Sequence, residues 1–169
     1  MSDEQLSGEK IIQAVKDADV ATILSVPDRT TEEGLLRRIA EDETLRHVRV
    51  AKEDETIGIS AGLSYSGTRA LCLFQYTGLY DSLNAVRAIA MEYSMPVCMM
   101  VGLLGKKPGV PPTESPNYGI RVIEPVLDAM EMPHHLLETD DDLHLIKPAI
   151  NAAYENSTPV TFLVGRSPV

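Results

Sequence analysis

The sequence predicts an α/β fold: a doubly wound, six-stranded parallel sheet with helices on both faces. Extended and helical patterns alternate six times along the 169 residues, the order that repeated βαβ units impose. The run Ala70-Leu-Cys-Leu-Phe74 is apolar without interruption, as a strand covered on both faces must be. The extended runs also end in polar or glycine-bearing segments, and in open α/β sheets ligands bind at the carboxyl ends of the strands.

Local pattern places each element. A first helix is expected over residues 4–18, with Leu6, Ile11, Ile12 and Val15 as its apolar stripe. A strand over 20–24 ends in Ser25-Val-Pro27-Asp28, a turn composition. Thr30-Thr-Glu-Glu33 has capping-box spacing and opens a second helix carrying Leu35, Leu36 and Ile39. The β-branched run at 47–50 makes the second strand. It stops at Lys52-Glu53-Asp54-Glu55, whose three acids suit the first turn of a helix, where the dipole favours negative charge. That third helix is thin, because Gly58, Ser60, Ala61 and Gly62 let another backbone lie close. The third strand, 70–74, delivers Gln75 at its end, then a loop containing Gly78, then a fourth helix over 81–93. Residues 96–101 form the fourth strand. Residues 102–118, rich in Gly and Pro, are too long for a plain connection and make a candidate functional loop. A helix over 119–130, a short strand at 134–137, a helix capped at Thr139-Asp-Asp-Asp142 and reaching 156, and a strand at 160–164 complete one domain.

Bulk properties narrow the function. A hydrophobic share of 44% supports a real core. The net charge of −10 argues against nucleic acid or an anionic membrane as partner. No apolar run approaches the roughly 20 residues of a membrane span. The opening Met-Ser-Asp-Glu-Gln is unlike a secretory signal. Cys72 and Cys98 lack C-x-x-C spacing and read as buried thiols of a reduced compartment. A soluble, acidic, cytoplasmic protein is therefore expected. His134 and His135 have no acidic partner at metal spacing, His144 sits near the start of a helix, and all three read as structural.

The stretch from Val48 to Asn84 carries more than a fold pattern. Glu53 stands ahead of Ala61-Gly62, and the next strand leads into Gln75-Tyr-Thr-Gly78-Leu79-Tyr-Asp-Ser82-Leu-Asn84. Together these resemble the pyrimidine-binding (Pyr) module of thiamine-diphosphate-dependent 2-oxo acid decarboxylases. There an essential glutamate precedes a small-residue helix, and the following strand opens a Gln-x-x-Gly-Leu-x-x-Ser-x-Asn segment. Within that family the chain looks most like alpha subunits of sulfopyruvate decarboxylase and the matching half of phosphonopyruvate decarboxylase. The likeness covers nearly the whole chain.

Spacing alone leaves Lys52-Glu-Asp-Glu55 readable as a solvated helix start. The resemblance implies that one of these acids is hydrogen-bonded to the pyrimidine N1′ of thiamine diphosphate and drives the tautomer that activates its C2. Asp54 and Glu55 are rivals, and counting back from Ala61-Gly62 selects Glu53. By the same resemblance Gln75, Gly78 and Asn84 line the pyrimidine end and the substrate cleft. They also read as an ordinary strand–turn–helix with Asp81 or Ser82 as N-cap. Asp28 is either an exposed turn residue or, as in related decarboxylases, an acid assisting proton transfers, with Ser25 where those proteins carry glycine. Close relatives have an Asp-Glu-Pro-Gln-His type of segment where this chain reads Glu114-Ser-Pro116-Asn-Tyr118. Lys106 and Lys107 are left as possible charges for an anionic substrate.

The family holds its diphosphate and Mg2+ with a Gly-Asp-Gly module, and no Gly-Asp-Gly occurs in this chain. The resemblance thus implies a Pyr subunit that needs a beta subunit carrying Gly-Asp-Gly. The Mg2+ would be held by that partner, and thiamine diphosphate would be shared across the interface. It further implies a homo-oligomer packed through the thin helix, and decarboxylation of a small anionic 2-oxo acid to an aldehyde and CO2. Two other readings stay open: a carboligase half of the acetolactate synthase kind, and a non-catalytic α/β binding or regulatory subunit.

Overall fold

In the computed structural model, which describes residues 5–169, six strands form one sheet in the order β2-β1-β3-β4-β6-β5, and every neighbouring pair is parallel. The strands are β1 Val20–Ser25, β2 Arg46–Arg49, β3 Arg69–Gln75, β4 Cys98–Gly102, β5 His134–Leu137 and β6 Val160–Val164. The helix start expected at Glu4 and the first residues of the acidic opening lie outside the described residues. Within them, α1 spans Gly8–Lys16 and is capped by Ser7, whose side chain accepts from Lys10 N at 3.4 Å.

Both faces of the sheet are covered, as the unbroken apolar strands demand. Leu71 and Leu73 share one core with Ile23, Met100 and Phe162. On that face lie α1, the segment of Glu32–Leu36 and α2 (Arg37–Glu41), and the last helix. Cys72 and Phe74 point the other way and share a second core with Leu24, Met99 and Val101. Over it pack α3 (Glu53–Tyr65), α4 (Tyr76–Ala85) with its wider-wound continuation Val86–Glu92, then α5 (Tyr118–Arg121) and α6 (Ile123–Ala129). The last helix, α7, spans Ile146–Asn156 and is entered through a 3-10 stretch, Asp140–Leu145. Cys72 and Cys98 are buried and unpaired. Among the described residues no helix is long and apolar enough to cross a membrane.

Three local expectations are corrected. The segment around Gly78 is no loop, since α4 begins at Tyr76 directly after β3, with Gln75 as the extended N-cap residue (φ −83°, ψ 157°). The capping box at Thr30 does not form. Asp28 supplies the acceptor instead, taking Thr30 N at 3.1 Å and Thr31 Oγ1 at 2.9 Å. The chain then enters the helix through a widened turn in which Thr31 O receives both Leu35 N and Leu36 N. Glu33, left over, pairs with Arg37 one turn on at 2.8 Å. Finally, the helix expected over 119–130 is broken at Val122 (φ −99°, ψ 1°). Pro125 has no N–H and its ring crowds the carbonyl four residues back, that of Arg121.

The strand order fixes where a ligand can sit. From β1 the chain goes out to β2 on one side and returns to β3 on the other, so the connections part between β1 and β3. A crevice outside the carboxyl ends is expected at such a switch point. The segment after Ser25, the start of α3, Gln75, Gly102 and residues 103–117 all gather on that edge.

Phe74, fully buried under α3 and α4, tests the two-sided core. Phe74→Ala is expected to cost about 3–5 kcal/mol of unfolding free energy. A lower urea midpoint at unchanged m-value would show it.

Candidate active site

The three acids opening α3 make different contacts. The Glu55 carboxylate folds back to accept from Ala51 N at 2.9 Å and Lys52 N at 3.2 Å, closing the turn after β2. Asp54 lies 3.7 Å from the Lys52 ammonium. The Glu53 side chain does neither. It is half-buried and lies against Gly78 so closely that a Cβ there would overlap its Cγ, Cδ and Oε1. Gly78 is thus a close-approach residue in the first turn of α4, and the Glu53 carboxyl group rests beside the start of that helix.

Gln75 and Asn84 fare differently. Gln75 ends β3, half-buried, and its amide donates to Thr77 Oγ1 at 3.2 Å. Asn84 is exposed, six residues further along α4 than Gly78, about 9 Å at 1.5 Å per residue. Its Oδ1 accepts from Arg87 at 3.0 and 3.3 Å. The structure brings Glu53 against Gly78, places Gln75 at the start of the same helix α4, and leaves Asn84 further along it.

Asp28 is not an exposed turn residue. It is 2% exposed, and its carboxylate lies against Gly102, where a Cβ would strike Oδ2. Gly102 is the register neighbour of Gln75. Glu53 and Asp28 therefore stand over the ends of the adjacent strands β3 and β4, each against a glycine. Burial raises the Asp28 pKa above the ordinary aspartate value, partly opposed by the bonds from Thr30 and Thr31. The Thr30 hydroxyl is buried beside the same carboxylate without hydrogen-bond geometry to any partner. Ser25, also buried, meets His47 Nε2 at 2.7 Å across β1 and β2. Burial, then the nearby Arg49 charge, lowers the His47 pKa.

The segment 103–117 is tied at both ends. Lys106 is buried and ion-paired with Glu138 beyond β5, and its ammonium also donates to Lys107 O at 3.2 Å. Gly109 N reaches the same carboxylate at 3.2 Å. Lys106 is thus not available to an anionic substrate. At the other end Asn117 donates to Tyr76 Oη at 3.3 Å, and Tyr80 Oη donates to Gly119 O. Burial, with Tyr76 and Tyr118 nearby, pushes the Tyr80 phenol up to about 12. Tyr76 and Tyr80 anchor the segment to α4, two residues on either side of Gly78. Nothing local in the sequence pairs them with Asn117 or Gly119. The signal available was two tyrosines at i, i+4 beside a long Gly/Pro segment.

The fit to thiamine diphosphate is one-sided. A half-buried carboxyl group cradled at a glycine suits a pyrimidine nitrogen. Among the described residues no group of three or more His, Cys, Asp or Glu side chains is placed to hold a metal ion.

No protein-family profile matches the chain. It is 30% identical over 154 residues to the sulfopyruvate decarboxylase subunit alpha of Methanocaldococcus jannaschii, spanning 90% of this chain and 89% of that one. To the subunit alpha of Methanococcus maripaludis it is 25% identical over 159 residues, 94% and 93% of the two chains. To the sulfopyruvate decarboxylase of Methanosarcina acetivorans it is 25% identical over 158 residues, 92% of this chain but 39% of that longer one.

Asp28 makes a pH prediction. A carboxyl group that holds its proton more tightly folded than unfolded adds stability at low pH and loses it as pH rises through its folded pKa. Asp28→Asn keeps an acceptor oxygen for Thr30 and removes that titration. Its stability relative to the parent is expected to climb from the unfolded value of 3.8 upward and to level off above the folded pKa. Urea midpoints of both proteins across this range measure the difference. A flat difference would place the Asp28 carboxyl in water.

Proposed function

The chain belongs to the sulfopyruvate decarboxylase alpha-subunit family, and we propose that it is the Pyr-module subunit of a thiamine-diphosphate-dependent decarboxylase, one module folded as one domain. It is a subunit of a carbon–carbon lyase. The substrate is a small 2-oxo acid with a second anionic group, sulfopyruvate or its phosphonate counterpart. Its carboxylate leaves as CO2, and one proton takes its place on the carbon, giving an aldehyde. The observation that carries this reading is the Glu53 carboxyl group laid over Gly78 while Asp54 and Glu55 are spent on the turn.

When bound, thiamine diphosphate supplies the carbon nucleophile and electron sink that this chemistry needs. Glu53 would hold its pyrimidine end, keeping a proton at ring N1′. Gly78 lets the carboxyl group reach that position, and Gln75 ends β3 as the register neighbour of Gly102. Asp28, shielded from water beside Gly102, holds a proton to higher pH than a surface aspartate and is suited to release it at the substrate end. The tethered segment 103–117 limits water at the same edge.

An alpha subunit implies another subunit. The partner in this reading is a beta subunit with a Gly-Asp-Gly segment that holds the diphosphate and Mg2+. Two observations support it: this chain lacks the segment, and it spans 39% of the longer Methanosarcina acetivorans protein, which leaves room there for a second module. A homo-oligomeric contact is supported by the outer side of α3. There Gly58 and Gly62 are exposed beside Ile59 and Tyr65, 38% and 89% exposed. Unpaired, buried Cys72 and Cys98 suit the reducing cytoplasm.

Co-expression with a Gly-Asp-Gly partner, followed by a decarboxylation screen of 2-oxo acids, tests the reading. In that assembly Glu53→Gln is expected to keep the fold and lose roughly 10²–10⁴ in turnover. Asp54→Asn and Glu55→Gln are expected to do far less. Exchange of the cofactor C2 proton, followed by NMR, separates the three, and arrest by Asp54→Asn or Glu55→Gln alone would mean a different carboxylate is used. The isolated chain is expected to bind thiamine diphosphate and Mg2+ weakly, and tight metal-dependent binding by calorimetry would count against the shared site.

A further inference from the structure

The substrate class proposed above carries two negative charges, and they make different demands. The carboxylate departs as CO2, so a cation clamped on it would hold charge where charge has to leave. The distal sulfonate or phosphonate keeps its charge into the product, and a lasting cation suits it.

Most cations on the carboxyl edge already have partners. Lys52 pairs with Asp54, and Lys106 is buried against Glu138. Arg121 donates to Ser115 O at 3.0 Å and lies over the Tyr118 ring. Arg166, past β6, has interactions of its own. Among the described residues the edge cations with no hydrogen-bonding or ion-pair partner are Arg29, Arg49 and Lys107. Arg49 lies on outer strand β2, in a groove whose other charges are Arg37, Glu32 and Glu41, so its cations are already balanced by carboxylates. Lys107 belongs to the segment bound to Glu138 beside β5, the other outer strand. Arg29 alone lies at the switch point. It is exposed, and its neighbours Asp28 and Thr30 are both buried against Gly102. Its side chain thus leaves the turn on the open side of the edge that carries Asp28.

We propose that Arg29 binds the distal anionic group of the substrate and sets the preference for a sulfonate- or phosphonate-bearing 2-oxo acid over pyruvate. This rests on the decarboxylase reading above. The turn gives the preference its geometry. Asp28 fixes the turn through Thr30 N and Thr31 Oγ1, so the backbone that carries Arg29 is held beside the buried acid, and Arg29 itself is exposed. The residue that tells substrates apart is then adjacent to a residue suited to proton release.

The test uses the assembly co-expressed with its partner and three substrates: 3-sulfopyruvate, 3-phosphonopyruvate and pyruvate. Arg29→Gln is expected to raise KM for the anion-bearing substrate by about tenfold to a hundredfold, the worth of a charge-assisted hydrogen bond. The value for pyruvate and kcat for either should hold. Arg29→Lys should recover part of the loss. Whichever of the sulfonate and the phosphonate suffers more from Arg29→Gln is the group received. Calorimetry with 3-sulfopropanoate and 3-phosphonopropanoate, which lack the keto group and cannot react, should show the same loss without turnover. Unchanged KM for all three substrates overturns the assignment, and so does an equal loss with pyruvate, which would mean a structural role. A parent assembly that favours pyruvate overturns it while leaving the decarboxylase reading intact. One that decarboxylates none of them overturns both.

Discussion

The Glu53 side chain occupies the space that any side chain on Gly78 would need, and much of the architecture around the site depends on that contact. It brings the start of α3 against the start of α4 and leaves both helices directly over β3. Two helix beginnings can approach this closely only where one contributes no Cβ. Downstream, Ile57, Ala61 and Leu79 close the same interface with apolar contact. The carboxyl group is consequently held by packing and needs no hydrogen-bond partner within the chain. That leaves its oxygens free to meet something from outside.

The second carboxylate has the opposite setting. Asp28 is enclosed and bound by its own turn, whereas Glu53 is half-open. Burial sets the Asp28 carboxyl apart, raising its pKa against the opposing bonds from Thr30 and Thr31. The buried ion pair of Lys106 and Glu138 belongs to the same arrangement. Buried pairs add little net stability but hold their partners in one geometry. Here the pair fixes a long segment that would otherwise be free to sample many positions over the edge.

The sheet was legible because its signal is local: apolar runs of strand length, separated by helical periodicity and turn residues. The parallel, two-sided core follows from runs such as 70–74 without any knowledge of partners. What was not legible depends on contacts between distant segments. Gly78 reads as a loop residue because glycine usually marks a turn, yet here its role is to admit Glu53. Thr30 and Glu33 have capping-box spacing, but an acceptor two residues upstream displaced them. The burial of Asp28 depends on Gly102, a residue on another strand. Singling out Glu53 in the sequence rests on the resemblance, and the contacts that distinguish the three acids, Glu55 to the turn, Asp54 near Lys52 and Glu53 against Gly78, lie in the fold.

Strand β6 is buried along its whole length and lies between β4 and β5, both of which precede it in the chain. During synthesis β4 and β5 therefore emerge before the strand that must separate them. The sheet β2-β1-β3-β4 can assemble early, but it then presents an open apolar edge at β4 until residues 160–164 arrive. An unpaired edge of that kind invites wrong pairing, with β5 or with another chain. The pause between β4 and β6 is thus the vulnerable interval in the life of this protein. Gly102 gains its second neighbouring strand only at the close of it, so the edge that carries the carboxylates is among the last parts of the molecule to become rigid.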